Sequence, residues 1–443
     1  MSDKPVCLVT APVGTRSGYG AHSRDICRAL IKLDRYDVKI WPVRWGNTPM
    51  NALHKDDPND KEIIDRLLHS PELPNQPEIH IHVVIPNEFQ PLAKYNIGIT
   101  AGLETTVCPP QWIEGMNRMN LNIVPSNFVK DTLNSITFDV HNDKTKEKIS
   151  DLKNEKPIEV LFEGIDTNIY KKTNEFSKSF VEEMDIVDET FNFLYVGHWL
   201  QGGIGADRKD TAMLVKVFCE TFKNIKSKPG LIMKTGGAGF SVLDREDILN
   251  KINNIKGAIK GDLPNIYFLH GDFTDDEMNG LYNHPKVKAH ISLTHGEGFG
   301  RPLLEASISE KPIIASNWSG HIDFLKKPNA LLISGTLEDV KKDSFPGDFY
   351  TEGSKWFTVN YQEASAVMKE LYKNYRKYKL GAKKLATYNR VKFSLDEMTK
   401  QFGKILDKYI PEFPKEVKLK LPKLKKVGST EAPKIKLPKL KKV

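Results

Sequence analysis

Cysteine is scarce. Cys7, Cys27, Cys108 and Cys219 are the only four in 443 residues, and no two form a Cys-x-x-Cys pair. A disulfide scaffold and a thiolate zinc site are therefore not expected, and reduced, mostly buried thiols are the reading. Long apolar runs are missing too. No stretch approaches the roughly 18 residues of a membrane-spanning helix. The first apolar stretch, Val6 to Thr10, is too short for a secretory signal, and cytoplasmic residence is the resulting expectation. Asp-x-Asp, a pair of carboxylates spaced to hold a divalent metal, does not occur. What is there is a globular composition, 39% hydrophobic and 28% charged with 26 prolines and 30 glycines. It excludes a largely disordered or collagenous chain. The length is enough for about three domains.

The charge is concentrated in one place. Pro411 to Val443 contains eleven lysines and three glutamates, which is the whole net charge of +8, so Met1 to Ile410 is neutral. Within this tail, Lys418–Val427 recurs as Lys434–Val443 at nine of ten positions, offset by 16. Pro422 and Pro438 forbid a continuous helix, and two decapeptides cannot bury a core. Residues 411–443 thus read as a flexible, disordered basic arm. It attracts DNA or an anionic membrane surface, or it serves only as a solvated tail.

In the body, Val- and Ile-rich runs alternate with helical patterns, the sequence form of an α/β fold with mostly parallel sheets. Strands are expected at Val6–Thr10, Val38–Trp41, Ile79–Ile85, Ile97–Ala101, Leu121–Val124 and Glu159–Phe162, with a helix at Ala21–Leu33. Ser126 is placed to cap a helix beginning near Asn127. The alternation restarts with Phe191–Val196, helix Thr211–Phe222, Leu231–Lys234, Asn265–Leu269, Ala289–Leu293, Pro312–Ala315 and Leu331–Ser334. The polar stretch Lys171 to Asp188 reads as a linker, and about Gln362 to Tyr409 is helical. The expected architecture is two doubly wound domains with a cleft between them. Residues 1–180 would form the first doubly wound domain and 188–375 the second. Helices over 376–410 would pack back toward the first domain.

Ligands of open parallel sheets sit beyond the carboxyl ends of strands, and the richest such segment is Thr294-His-Gly-Glu-Gly-Phe-Gly-Arg-Pro-Leu-Leu-Glu-Ala-Ser-Ile308. Gly298 and Gly300 permit close backbone approach to a ligand. Pro302 suits a helix's first turn and places Glu305 one turn inside. A helix N-terminus after a glycine loop attracts phosphate. Glu297 cannot be a phosphate ligand there, so it should accept hydrogen bonds from hydroxyls. A sugar nucleotide offers both partners.

This segment resembles the signature of the family 4 glycosyltransferases, retaining enzymes of the GT-B fold. Their pattern Glu-Gly-Phe-Gly-x-Pro-x-x-Glu is matched completely from Glu297 to Glu305, and Glu310–His321 is similar to the strand and glycine turn that follow. The resemblance implies that Glu297 binds donor sugar hydroxyls, Glu305 the nucleotide ribose, and backbone amides around Phe299 and Gly300 the sugar or phosphate. Ser17-Gly18-Tyr19-Gly20 lies where the family places a glycine loop for donor phosphate, or is an ordinary turn. Arg208-Lys209-Asp210 resembles the basic pair that neutralises a departing diphosphate. Where many members carry Gly-Arg, Gly197 is followed here by His198. Lys234, ending a strand, is a further phosphate contact, and His270-Gly271-Asp272 falls near the base. Glu104 closes a first-domain strand, where it orients or deprotonates an acceptor hydroxyl, or caps a surface turn. His80 and His82 read as structural.

The expectation is thus a metal-independent, retaining glycosyltransferase with a nucleotide sugar, foremost a UDP-sugar, as co-substrate and no cofactor. No obligate protein partner is evident. The acceptor stays open between a hydroxymethylated DNA base, as in a phage-encoded nucleic-acid-modifying member, and a polysaccharide, glycolipid or protein at a membrane surface. A GT-B-fold sugar-nucleotide epimerase is the rival enzyme class.

Overall fold

The computed structural model describes residues 4–70, 72–142, 144–176, 178–237, 241–344 and 350–413. Both copies of the tail repeat, and the disorder expected of it, lie outside the described residues. The described residues up to Ile410 belong to one compact unit.

The first half supplies β1 (Val6–Ala11), α1 (Gly18–Leu33), β2 (Asp37–Pro42), α2 (Pro58–Ile64), β3 (Ile79–Val83), β4 (Tyr95–Ile99), α3 (Pro110–Asn117), β5 (Leu121–Val124), α4 (Asn127–Ser135), β6 (Thr137–His141), β7 (Lys148–Lys153) and β8 (Ile158–Val160). After α5 (Lys178–Asp185), the second half supplies β9 (Asn192–Val196), α6 (Thr211–Phe222), β10 (Gly230–Lys234), α7 (Val242–Gly257), β11 (Ile266–Leu269), α8 (Asp275–Asn283), β12 (Val287–Ser292), α9 (Arg301–Ser307), β13 (Ile313–Ser316) and β14 (Leu331–Ile333). A hairpin of β15 (Gly335–Asp339) and β16 (Lys355–Val359) precedes α10 (Tyr361–Lys373), α11 (Tyr375–Lys392) and α12 (Leu395–Tyr409).

Two six-stranded parallel sheets result, ordered β2-β1-β3-β4-β5-β8 and β11-β10-β9-β12-β13-β14. The α/β class and the two doubly wound sheets are as the sequence predicts. Counted from β9, the second order is 3-2-1-4-5-6, the dinucleotide-fold arrangement. Central strands such as β1 and β5 are almost wholly buried, which is why they read as continuous apolar runs. Helix α6 packs Leu214, Val215, Phe218 and Phe222 into the core with Phe193 and Met233.

Several elements differ from the sequence reading. The antiparallel hairpin β6–β7 was not foreseen; its strands are mostly exposed, so no apolar period marks them. The polar stretch Lys171–Asp188 contains α5, anchored by buried Phe180 and Met184. Of the C-terminal helices, α11 stays with the second half, where Asn389 donates to Ser307 on α9 at 2.8 Å. Only α12 crosses to α1, after Phe393 and Leu395 bracket Ile165 with backbone hydrogen bonds.

Candidate functional site

A doubly wound sheet opens a crevice where successive strands depart to opposite sides. In the second sheet that place lies between β9 and β12. The loop after β9 ends in Arg208 and Lys209, and the loop after β12 carries Glu297. The two loops are laced together: the His295 amide donates to the Arg208 carbonyl at 3.0 Å.

Topology thereby joins residues 88 apart in sequence. Lys209 Nζ donates to Glu297 Oε1. Arg208 Nη1 lies 3.8 Å from Glu297 Oε2 and 3.1 Å from Glu104 Oε1. Two cations and two carboxylates form a neutral quartet to which both halves contribute, since Glu104 follows β4. Glu297 is 8% exposed. Burial alone would raise its pKa, but Lys209 and then Arg208 hold it below the usual carboxylate range. Burial lowers the Lys209 pKa, with Glu297 opposing. Arg208 is pushed up despite burial, because Glu104 and Glu297 face it. Glu104 is therefore engaged with Arg208.

Beyond the quartet, His198 is half-buried between the loops. Burial, then Lys209, Arg208 and Lys234 hold its imidazole below the ordinary range, so it stays neutral among three cations. Lys234 ends β10, donates to the Gly271 carbonyl at 2.8 Å and has its pKa pulled down to about 8 by burial, with Asp272 opposing. Three cations around one neutral ring mark a place suited to an anion.

The glycines have distinct tasks. A Cβ on Gly298 would meet the Ala101 carbonyl oxygen at 2.0 Å, so the close approach it permits in this structure is to the chain's own first half. Ser126 caps α4, accepting from the Val129 amide at 3.3 Å, and donates to the Gly298 carbonyl at 2.7 Å. Gly300 has φ 93°, the left-handed turn that starts α9. Phe299 turns its ring to the core against Phe324, which leaves only its backbone for a ligand. In the first half, Gly20 is required because a Cβ would meet the Thr15 carbonyl oxygen at 2.2 Å, whereas Gly18 faces open space at the N-terminus of α1. Ser17 caps that helix by accepting from the Gly20 amide at 3.0 Å.

Glu305 lies one turn into α9, also 8% exposed, but in a different company. Tyr282 donates to it at 3.0 Å and Arg301 Nε at 3.0 Å. Arg301 also reaches Asp25 on α1 at 2.5 Å. Buried Glu163, just after β8, completes a group of three carboxylates around one guanidinium. Burial raises the Glu305 pKa to about 7, with Arg301 opposing, and Glu163 likewise to about 7. The sequence reading missed Asp25, Glu163 and Arg301. The four-residue spacing of Arg301 and Glu305 on one helix face was the available signal.

Two further histidines were missed. His22, beside Asp25 and Arg301, is 1% exposed, and neither ring nitrogen has a hydrogen-bond partner. His321 leaves Nδ1 unpartnered near Glu297. His80, by contrast, is bonded through both nitrogens, to Gln90 and Thr10 at 2.9 Å each, as a structural residue should be. Among the described residues no group of three or more His, Cys, Asp or Glu side chains is arranged to hold a metal ion.

No family model matches the chain, and no curated protein matches it by sequence. Solved structures do. Sucrose-phosphate synthase from Thermosynechococcus elongatus superposes with a TM-score of 0.60 at 12% identity, over 91% of this chain and 98% of that one. Anabaena HepE in complex with UDP-glucose gives 0.57 at 13% identity, over 91% and 100%. A glycosyltransferase from Rickettsia africae gives 0.58 at 14%, over 92% and 99%. The fold is that of the GT-B glycosyltransferases. Within this GT-B fold, the quartet and the Arg301 cluster both lie where the two parallel sheets meet. No helix among the described residues is long and apolar enough to cross a membrane.

Proposed function

We propose that the chain transfers a sugar from a nucleotide diphosphate sugar to a hydroxyl acceptor, with retention and without a metal. The observation that carries this reading is the Lys209–Glu297–Arg208–Glu104 quartet, with Glu297 buried and its three partners half-buried, at the switch point of the second sheet. A neutral quartet holds its cations ready but compensated. When a diphosphate arrives, Lys209 and Arg208 turn part of their attraction to it, and Glu297 is freed to accept hydrogen bonds from the sugar hydroxyls. UDP-sugars are the favoured donors, because HepE is solved with UDP-glucose and an E. coli trehalose-6-phosphate neighbour with UDP-2-fluoroglucose.

In the transfer, the bond between the anomeric carbon and the phosphate oxygen breaks, and the nucleotide diphosphate leaves with the electron pair. The acceptor oxygen bonds to that carbon on the same face, and its proton passes to the departing phosphate. Arg208, Lys209 and the N-terminus of α9 offset the charge that develops. Lys234 adds to the positive field, and His198, neutral in the free protein, gains a proton more readily once the anion is bound. Glu305 receives the ribose hydroxyls. Glu104, held by Arg208, orients the acceptor. The two halves exclude water from the reaction.

The test is a thermal-shift panel of UDP-, GDP- and ADP-sugars on the full chain. The account expects stabilisation by one nucleotide class, lost in Lys209→Ala, and nucleotide release only when an acceptor is added. Release or sugar conversion without acceptor would support the epimerase instead.

A further inference from the structure

Helix α11 carries Arg376, Lys377, Lys379, Lys383, Lys384, Arg390 and Lys392 and not one acidic residue. It belongs to a body whose net charge is zero, so the cations are segregated here. Lys377 pairs with Glu370 at 3.2 Å and Arg390 with Glu310 at 3.2 Å. The other five are exposed and have no ion-pair partner among the described residues.

The helix packs through Ala382, Leu385, Ala386 and Asn389. The opposite face also has a helical repeat: Leu380, Lys384, Thr387 and Val391 fall at the four- and three-residue steps that keep one side of a helix. The eleven steps from Leu380 to Val391 bring these two residues within about 20° of each other and about 16 Å apart along the axis. Leu380 is 63% exposed, Val391 61% and Tyr388 42%. Two aliphatic side chains, Leu380 and Val391, thus stand on solvent at either end of this face with Lys384 and Thr387 between them, and the long stems of the unpaired lysines let the charge rise beside them.

We propose that this face of α11 docks on an anionic lipid bilayer surface. The charge dictates an anionic partner. The aliphatic side chains select its kind, because a nucleic-acid phosphate backbone offers Leu380 and Val391 nothing to bury against. A bilayer interface accepts the aliphatic groups at the headgroup boundary and the ammonium groups among the lipid phosphates. This surface is separate from the quartet, so docking does not depend on the sugar-transfer reading.

Sedimentation of the full chain with phosphatidylcholine vesicles, with and without phosphatidylglycerol, tests the proposal. Binding is expected only with phosphatidylglycerol and is released by salt. The combined Lys379→Glu, Lys383→Glu and Lys384→Glu variant should lose about tenfold or more in partitioning. Leu380→Ser with Val391→Ser should lose severalfold and release at lower salt, with melting temperature and nucleotide-induced shift unchanged in both variants. Undiminished sedimentation of the triple variant would assign binding to the lysines beyond Pro411 and overturn the proposal, as would no sedimentation at all. Duplex DNA bound more tightly than vesicles, with loss in the triple variant but not in the Leu380 and Val391 variant, would make nucleic acid the occupant and overturn it as well.

Discussion

Glu297 and Glu305 are the same residue type, eight positions apart, equally buried, and their carboxyls are driven in opposite directions. Glu297 faces two cations and is kept ionised. Glu305 shares one guanidinium with Asp25 and Glu163, and burial wins. Desolvation is common to both; the local ratio of cations to carboxylates decides the outcome. The first site is thus a fixed anion, suited to constant hydrogen-bond acceptance, and the second titrates near neutrality.

The largest effect is expected from removing the cation that creates this contrast. Lys209→Ala should lower turnover about a hundred- to a thousandfold, the loss of one preorganised group facing developing charge. Steady-state kinetics at saturating donor reads it, and a change confined to KM would move Lys209 from chemistry to binding. Glu297→Ala should cost about ten- to a hundredfold in rate, for the loss of hydrogen bonds to a charged acceptor worth about 1.5–3 kcal/mol. Transfer at the unaltered rate would leave Glu297 with only a structural part.

Glu305 sharpens the comparison through pH. With its carboxyl raised to about 7, donor affinity should rise as pH climbs through 7, because the ionised form accepts from the ribose. Glu305→Gln should flatten that profile, with a severalfold change in donor affinity across it. The same raised value means that the native state holds a proton the unfolded chain has released above its ordinary value of 4.5. This group's contribution to stability therefore declines from about pH 4.5 to 7. The smallest effect is none: EDTA should leave activity unchanged if Arg208 and Lys209 perform the charge compensation, and abolition by EDTA would refute that account.

Much of the fold was legible because buried parallel strands are apolar on both faces. Leu121–Val124 and Thr211–Phe222 match the structure at both ends. The hairpin β6–β7 was not, since exposed strands carry no such pattern. At the site, the Glu297–Glu305 segment stood out because its glycines, proline and carboxylates are consecutive. Arg301 did not stand out, because its meaning comes from Asp25, 276 residues away, and from Glu163 on the other sheet. His22 was invisible for the same reason: a histidine on an amphipathic helix looks ordinary until its unpartnered ring is seen beside an ion cluster. What lies within one loop is readable; what needs two sheets to meet is not.

The most direct measurement is a crystal structure with an unhydrolysable UDP-sugar bound. The account predicts the pyrophosphate against Lys209, Arg208 and the N-terminus of α9, Glu297 on the sugar hydroxyls and released from Lys209, and Glu305 on the ribose. A nucleotide seated elsewhere, or a Glu297–Lys209 pair left intact with the sugar out of its reach, would contradict it.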